Sequence, residues 1–347
     1  MVTNAPLNSD TLGKPEVRPI GLFLGEVKMN NLFLVLLYAL GMVFIPNIAF
    51  CDVKPPSGYT LVEISNFGSR IYKNSSGTVH VVVVDTSKSN SHVNFGGRSL
   101  SQTRKYYYIV NGKKYLATRN MFTKQSVGNW YIQKYNNSSL NPPLSAFAVI
   151  NAQFFGCPTS YDVYLQNPSG AYCALSFPVR SSGSNGVNQI VSDNVDTTDA
   201  KRTVFIRTNG DTYIVDGYNP SNLTAYDTKE LLVGLKNTLN PANSIGRTYI
   251  GGIPYTGCNP DSANMCRMQY LLFFVAKSEY GDSFDKNGNL ISDSTHSTMT
   301  KKLADWGISR KAMVAMDGSG SSQLKSKTIS FAGSDPNRSV PSVIVIK

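Results

Sequence analysis

The chain has 347 residues, 41% of them hydrophobic and 16% charged, with a formal net charge of +11. That composition can bury one substantial core and excludes a disordered polymer. The positive excess favours an anionic partner, and nucleic acid fits least well, because no run of five Lys or Arg occurs and the cations are scattered among Ser, Asn and Thr.

From Asn31 to Phe50 the chain is nearly all apolar, broken by Pro46, and then turns polar at Cys51-Asp52. This reads as the core and cleavage region of an export signal, with Ala49 and Cys51 at the small-residue positions and Met29 as the start of the signal. A retained anchor is the alternative, since about 20 apolar residues can span a bilayer. The expectation is a leader over residues 1–51 and a single domain over 52–347, periplasmic or extracellular, touching membrane only through the signal or a retained anchor. Export makes the remaining cysteines an even set in an oxidising compartment. Spacing favours Cys157 with Cys173 and Cys258 with Cys266, although four cysteines allow three pairings. No Cys-x-x-Cys pair exists and only His80, His92 and His296 are available, so a zinc site is not expected.

After the leader, Thr78 to Thr86 is a β-branched run that reads as a buried strand, with His80 as a packed or surface-edge side chain rather than a catalyst. Tyr106–Val110 and Lys113–Ala117 flank Asn111-Gly112, a hairpin signal because both turn residues must take positive φ. Its tyrosines fit a sugar platform or, more simply, a pleated face. Ala146 to Ile150 is a second core strand that delivers Asn151 at its end. Phe154 and Phe155 follow, one expected to anchor the loop in the core and the other to wall a pocket. Residues 156–185 are rich in Pro, Gly, Ser and Tyr and long enough to cover a substrate.

A second hairpin is expected at Asn209-Gly210, between Arg202–Arg207 and Thr212–Val215. Thr228 to Leu239 carries Leu231, Leu232, Leu235 and Leu239 at helical spacing and reads as an amphipathic helix. Gln269 to Ala276 is a buried strand. Asp285 to Asp293 superficially suggests a calcium loop, but its glycine falls in the fourth place where that loop needs it sixth. Thr298 to Trp306 reads as a helix ended by Gly307, leading into the strand Ala312 to Met316. That strand, helix, strand succession implies local parallel pairing. Ser342 to Ile346 closes the chain as a last strand. The expected class is α+β, a mixed β-sheet core with flanking helices.

The stretch with most chemistry is Asp317-Gly-Ser-Gly-Ser-Ser322. A carboxylate at a strand's end is followed by glycines that permit close backbone approach and by three short hydroxyls. Successive N–H groups in such a loop can cradle an anion. Arginine's planar fork also suits a phosphate, which makes Arg247 a candidate, although an ordinary surface arginine would look the same.

Asp317-Gly-Ser-Gly-Ser-Ser322 resembles the Asp-Gly-Gly-Gly-Ser signature of the phosphodiester glycosidase family, which includes the enzyme that uncovers mannose 6-phosphate. Val149-Ile-Asn-Ala-Gln-Phe-Phe-Gly156 is similar to that family's Asn-Gly-Gly-Phe-Phe segment, and Arg247-Thr-Tyr-Ile-Gly251 to its Arg-Thr-Ala-Ile-Gly segment, in the same order along the chain. Ser319 replaces a glycine, Ala152-Gln153 a glycine pair, and the downstream acid of the family appears only as Lys277-Ser-Glu279. The resemblance implies hydrolysis of a sugar-1-phosphodiester in an anionic, phosphate-containing glycan, with no cofactor. Asp317, Arg247 and Asn151 would form the catalytic set. Thr248, Gly318, Ser319, Gly320, Ser321 and Ser322 would bind substrate and phosphate. A non-catalytic glycan-binding envelope protein on the same fold is the second reading, motivated by the three departures. A serine hydrolase using Ser321 lacks the Gly-x-Ser-x-Gly elbow.

Overall fold

In the computed structural model the chain separates into Met1–Asp52 and Val53–Lys347. The structure describes residues 53–88, 93–98, 101–137, 144–157, 172–181, 201–218, 227–236, 246–263, 265–277, 296–333 and 335–347. The apolar leader, His92, the 285–293 turn and Glu279 fall outside them. None of the described helices is long and apolar enough to cross a membrane.

The β-branched runs fold as read. Val79–Asp85 lies antiparallel to Arg267–Ala276, buried along almost its whole length. On the other edge Arg267–Ala276 pairs with Arg247–Pro254, which pairs with Met313–Ala315, then Thr228–Leu235, Lys201–Arg207 and Thr212–Asp216. Thr212 and Tyr213 pair back to Met268 and Arg267. Six antiparallel strands therefore return on themselves as a small closed barrel, which removes their sheet edges. Val79–Asp85 extends it outward through Arg70–Asn74 to Tyr59–Ile64.

A second sheet runs in the order Ser330–Ala332, Gln323–Ser326, Ala148–Asn151, Ser342–Ile346 and Val93–Arg98. Its strands Ala148–Asn151 and Ser342–Ile346 are buried throughout and apolar apart from Asn151 and Ser342, because both faces are covered. Ala148, Ile150, Ile344 and Ile346 join the main core, while Val149, Val343 and Val345 pack on Trp130 and Tyr131. A third sheet joins Phe155–Gly156, Tyr172–Leu175, Lys113–Thr123 and Ser101–Val110. Its hairpin turns where the sequence requires, with Asn111 at φ 50° and Gly112 at φ 75°. The second hairpin, with Gly210 at φ 89°, also forms. Both disulfides pair as their spacing suggested, Cys157 with Cys173 and Cys258 with Cys266, which fits an oxidising compartment.

The α+β expectation is overturned: the molecule is built of antiparallel sheets, and the longest described helix is His296–Asp305. Thr228–Leu239 was the main source of the error. Thr228–Leu235 is a barrel strand, buried at every position but one. A short continuous apolar run satisfies helical and strand spacing alike, and Val233-Gly234 inside it favours the strand, since neither residue is a good helix former. Gly234 is required there, because a Cβ would sit 2.5 Å from the Ala315 carbonyl oxygen of the adjoining strand.

The expected parallel pairing is also corrected. The helix after Arg267–Ala276 does form, closed by Gly307 at φ 80° with Gly307 N–H on the Ala304 carbonyl and Ile308 N–H on that of Leu303. Met313–Ala315 then runs in the same direction as Arg267–Ala276, but Arg247–Pro254 lies between them, so both ladders are antiparallel. Buried Arg202 fixes this junction, donating to the carbonyls of Arg310 and Met313 at 2.7 Å while paired with Asp216.

Gly234→Ala is expected to cost about 1–3 kcal/mol by overpacking against backbone that cannot retreat. Thermal unfolding checks this, and an unchanged melting temperature would show that the two strands separate more easily than their packing implies.

Candidate active site

Asp317 stands two residues past Met313–Ala315. The ladder continues beyond that strand, Met316 N–H donating to the Thr248 carbonyl at 2.9 Å, so the register runs on toward Arg247 and Asp317 as next neighbours. The loop then passes directly over the start of Arg247–Pro254. A Cβ on Gly318 would lie 2.7 Å from the Gly246 carbonyl oxygen, so the glycine of the motif is a steric necessity here.

One side chain joins three segments beneath this loop. Asn151, 1% exposed at the end of its strand, donates through Nδ2 to the Asp317 carbonyl at 2.8 Å. Its Oδ1 accepts from the Thr248 hydroxyl at 2.8 Å and from Gln323 N–H at 3.1 Å. The Thr248 and Ser322 hydroxyls lie 3.1 Å apart, and Thr248, Ser321 and Ser322 are all buried. Asp317 N–H points at the Ala152 carbonyl, 3.4 Å away. Asn151, Thr248, Asp317, Gly318, Ser321 and Ser322, which the sequence nominated from three distant stretches, are thus brought together.

Ala152, Gln153 and Ser319, where the sequence differs from the motifs it resembles, have structural work of their own. Ala152 offers its carbonyl to Asp317, and the Gln153 amide donates to the carbonyls of Val233 at 2.6 Å and Pro178 at 3.3 Å. Ser319 opens the short 3-10 turn Ser319–Ser321.

Asp317, Gly318 and Gly320 are each half-buried. Burial pushes the Asp317 carboxyl pKa up to about 6, against the Ser321 hydroxyl, the Gly318 N–H and the positive charge of Arg338, which all favour the carboxylate. A carboxyl poised there can be ionised at neutral pH and still accept a proton readily, as general acid–base chemistry requires. Among the loop's N–H groups, that of Gly318 serves Asp317 and that of Ser321 donates to the Gly318 carbonyl at 3.2 Å.

Arg247 is placed differently. It is 1% exposed, and burial lowers the pKa of its guanidinium against the opposing influence of Tyr249, two residues along the same strand. Its backbone meets the loop at Gly318, but the cation whose charge bears on the Asp317 carboxylate is Arg338. The sequence reading missed Arg338. It is exposed, its guanidinium sits 5.9 Å over the Phe155 ring, and its carbonyl is held by the Gln323 amide at 2.6 Å. Nothing local marks it beyond the Asp335-Pro-Asn337 turn before it, because its place is set by contacts with residues far away in sequence. Phe155 accordingly walls this side, while Phe154 anchors the loop edge-to-face on Phe177. His80 packs 4.4 Å from the Phe331 ring with its pKa lowered to about 4, mainly by burial. Among the described residues no group of three His, Cys, Asp or Glu side chains gathers to hold a metal.

Fold and site together define a disulfide-stapled antiparallel β domain with a poised carboxyl on a glycine and serine loop. Compared with known protein families and with characterised proteins, the chain matches none.

The raised pKa of Asp317 has a sign for stability. The folded state binds this proton more tightly than the unfolded chain, so ionising the group costs stability above about pH 6 and the cost vanishes near pH 4. Asp317→Asn, which removes the charge, is expected to raise the melting temperature at pH 7.5 and to leave it nearly unchanged at pH 4. An equal shift at both pH values would mean the carboxyl is not perturbed.

Proposed function

We propose that the protein is an exported glycosidase that hydrolyses a sugar-1-phosphodiester, breaking the bond between the anomeric carbon and the phosphate oxygen. The observation that carries this reading is the convergence of Asn151, Thr248 and the 317–322 loop into one hydrogen-bonded site around a carboxyl held near pH 6. The motif resemblance supplies the substrate class, and the two disulfides and the charge of +11 are in keeping with an exported protein that meets an anionic glycan.

The chemistry is economical. A phosphate monoester leaves far more readily than a sugar alkoxide, so the reaction does not need the strong general acid that ordinary glycosidases provide with a second carboxylate. Asp317 serves as nucleophile, base or electrostatic partner of the oxocarbenium-like transition state. Asn151 and Thr248 hold the loop that carries it, with Ser322 packed against Thr248. The phosphate is held at the exposed rim by Arg338 and by the N–H groups of Ser319 and Gly320, with buried Arg247 adding positive charge from behind.

Purified protein is expected to release N-acetylglucosamine from UDP-N-acetylglucosamine or another sugar-1-phosphodiester, and Asp317→Asn to abolish that release. Arg338→Ala should cost about 10²–10³ in turnover, the usual loss for one positioned donor. Retention of the substrate without sugar release would identify a binding protein instead. Undiminished turnover in Asp317→Asn would remove the carboxylate from the mechanism.

A further inference from the structure

The positive charge is not spread evenly along the chain. Between Asp85 and Asp162 there are nine Lys and Arg and not one Asp or Glu. Five of the nine stand on the hairpin of Ser101–Val110 and Lys113–Thr123, namely Arg104, Lys105, Lys113, Lys114 and Arg119, together with Tyr106, Tyr107, Tyr108 and Tyr115. We propose that this hairpin is a docking arm for a polyanionic glycan, a chain of sugars joined through phosphate, which it feeds to the Asp317 site. The substrate class rests on the function proposed above; the anion-binding arm rests on the hairpin itself.

The ladder argues that the arm is built for an anion. Arg104 stands directly opposite Arg119, and Lys113 and Lys114 close the ladder beside the turn. The register thus sets cationic positions side by side, and residues 86–161 contain no acid. Tyr108 stands opposite Tyr115. Tyr115, 44% exposed, offers a flat face to a sugar ring, which separates a glycan from a simple phosphate surface.

Exposure shows how the arm projects. Met121 and Phe122 near its base are fully buried, yet Tyr115 and Leu116, which alternate onto opposite faces, are 44% and 52% exposed. Both faces are covered at the root and open toward the tip. The eight residues from Thr103 to Val110 reach about 25 Å at the usual rise of a strand.

The arm is tied mechanically to the site. Phe122 of the hairpin pairs with Cys173, which is bonded to Cys157, six residues after Asn151. The neighbouring strand pairs with Phe155, the ring under Arg338, whose charge acts on Asp317. A polymer lying along the hairpin therefore approaches the carboxyl from the side where the exposed cation stands.

The test uses the full exported chain carrying Asp317→Asn, so that binding is measured without turnover. The probe is a polymer of α-1,6-linked N-acetylmannosamine 1-phosphate, with neutral dextran and phosphatidylglycerol vesicles as controls. The triple variant Lys113→Gln, Lys114→Gln, Tyr115→Ser is expected to bind the polymer roughly tenfold or more weakly, with a shallower salt dependence. Its melting temperature should be unchanged, and Lys113→Arg with Lys114→Arg should retain binding. Dextran should bind neither protein. In the active background the triple variant should raise KM for the polymer and leave UDP-N-acetylglucosamine hydrolysis unchanged. Polymer binding that is absent, or unaffected by the triple variant, overturns the arm. Loss of vesicle binding alone overturns it in favour of a membrane contact. Binding that depends on the hairpin without any hydrolysis would instead count against the proposed catalysis and leave the arm standing.

Discussion

The site depends on the amide of Asn151. That one buried side chain spends its donor on the backbone of the Asp317 loop and its acceptor on the Thr248 hydroxyl and the Gln323 N–H. It thereby connects the second sheet, the barrel and the loop between them. An amide suits the place because it presents a donor and an acceptor from one rigid group. A carboxylate there would lose the donor and add a buried charge beside Asp317. The two sheets that share one core supply the rigidity: Ile150 and Ile344 pack in the same cluster as Val314 and Ile250, so the strand ends that carry Asn151 and Thr248 are fixed before any ligand arrives.

On that frame the carboxyl is held in tension between burial, which favours the neutral form, and a hydroxyl, an N–H and Arg338, which favour the charge. Such a group costs stability when ionised, and strongly perturbed carboxyls cluster at functional sites. The closed barrel tolerates this cost because its own strands contribute a continuous buried interior. Arg338, over the Phe155 ring, stands exposed beside this loop.

Much of the frame was legible in the residues. Asn111-Gly112 and Asn209-Gly210 demanded their turns, Gly307 ended its helix, and the cysteine spacing gave the pairing. The apolar runs at 79–85, 148–151 and 342–346 were recognisable as buried strands because β-branched residues crowd both faces. Thr228–Leu235 was not recognisable, since a central strand with no polar face carries no alternation and its leucines fit a helix equally well. With it went the class of the fold: one strand read as a helix, and one crossover read as a parallel ladder, turned an antiparallel barrel into a mixed sheet. The nominated site residues from 151, 248 and 317–322 share one hydrogen-bonded cluster, but their division of labour was hidden. Thr248 and Ser322 lie beneath the loop, Arg247 is buried, and Arg338 reaches the rim from a turn that no local pattern singles out.

The central claim is that the anomeric carbon–oxygen bond is the one that breaks. Hydrolysis of a sugar-1-phosphodiester in water enriched with oxygen-18, with the released phosphate monoester analysed by mass, tests it most directly. The account predicts a phosphate monoester free of label, because water adds to the sugar carbon. Label in the phosphate would place the attack at phosphorus and contradict the role given to Asp317.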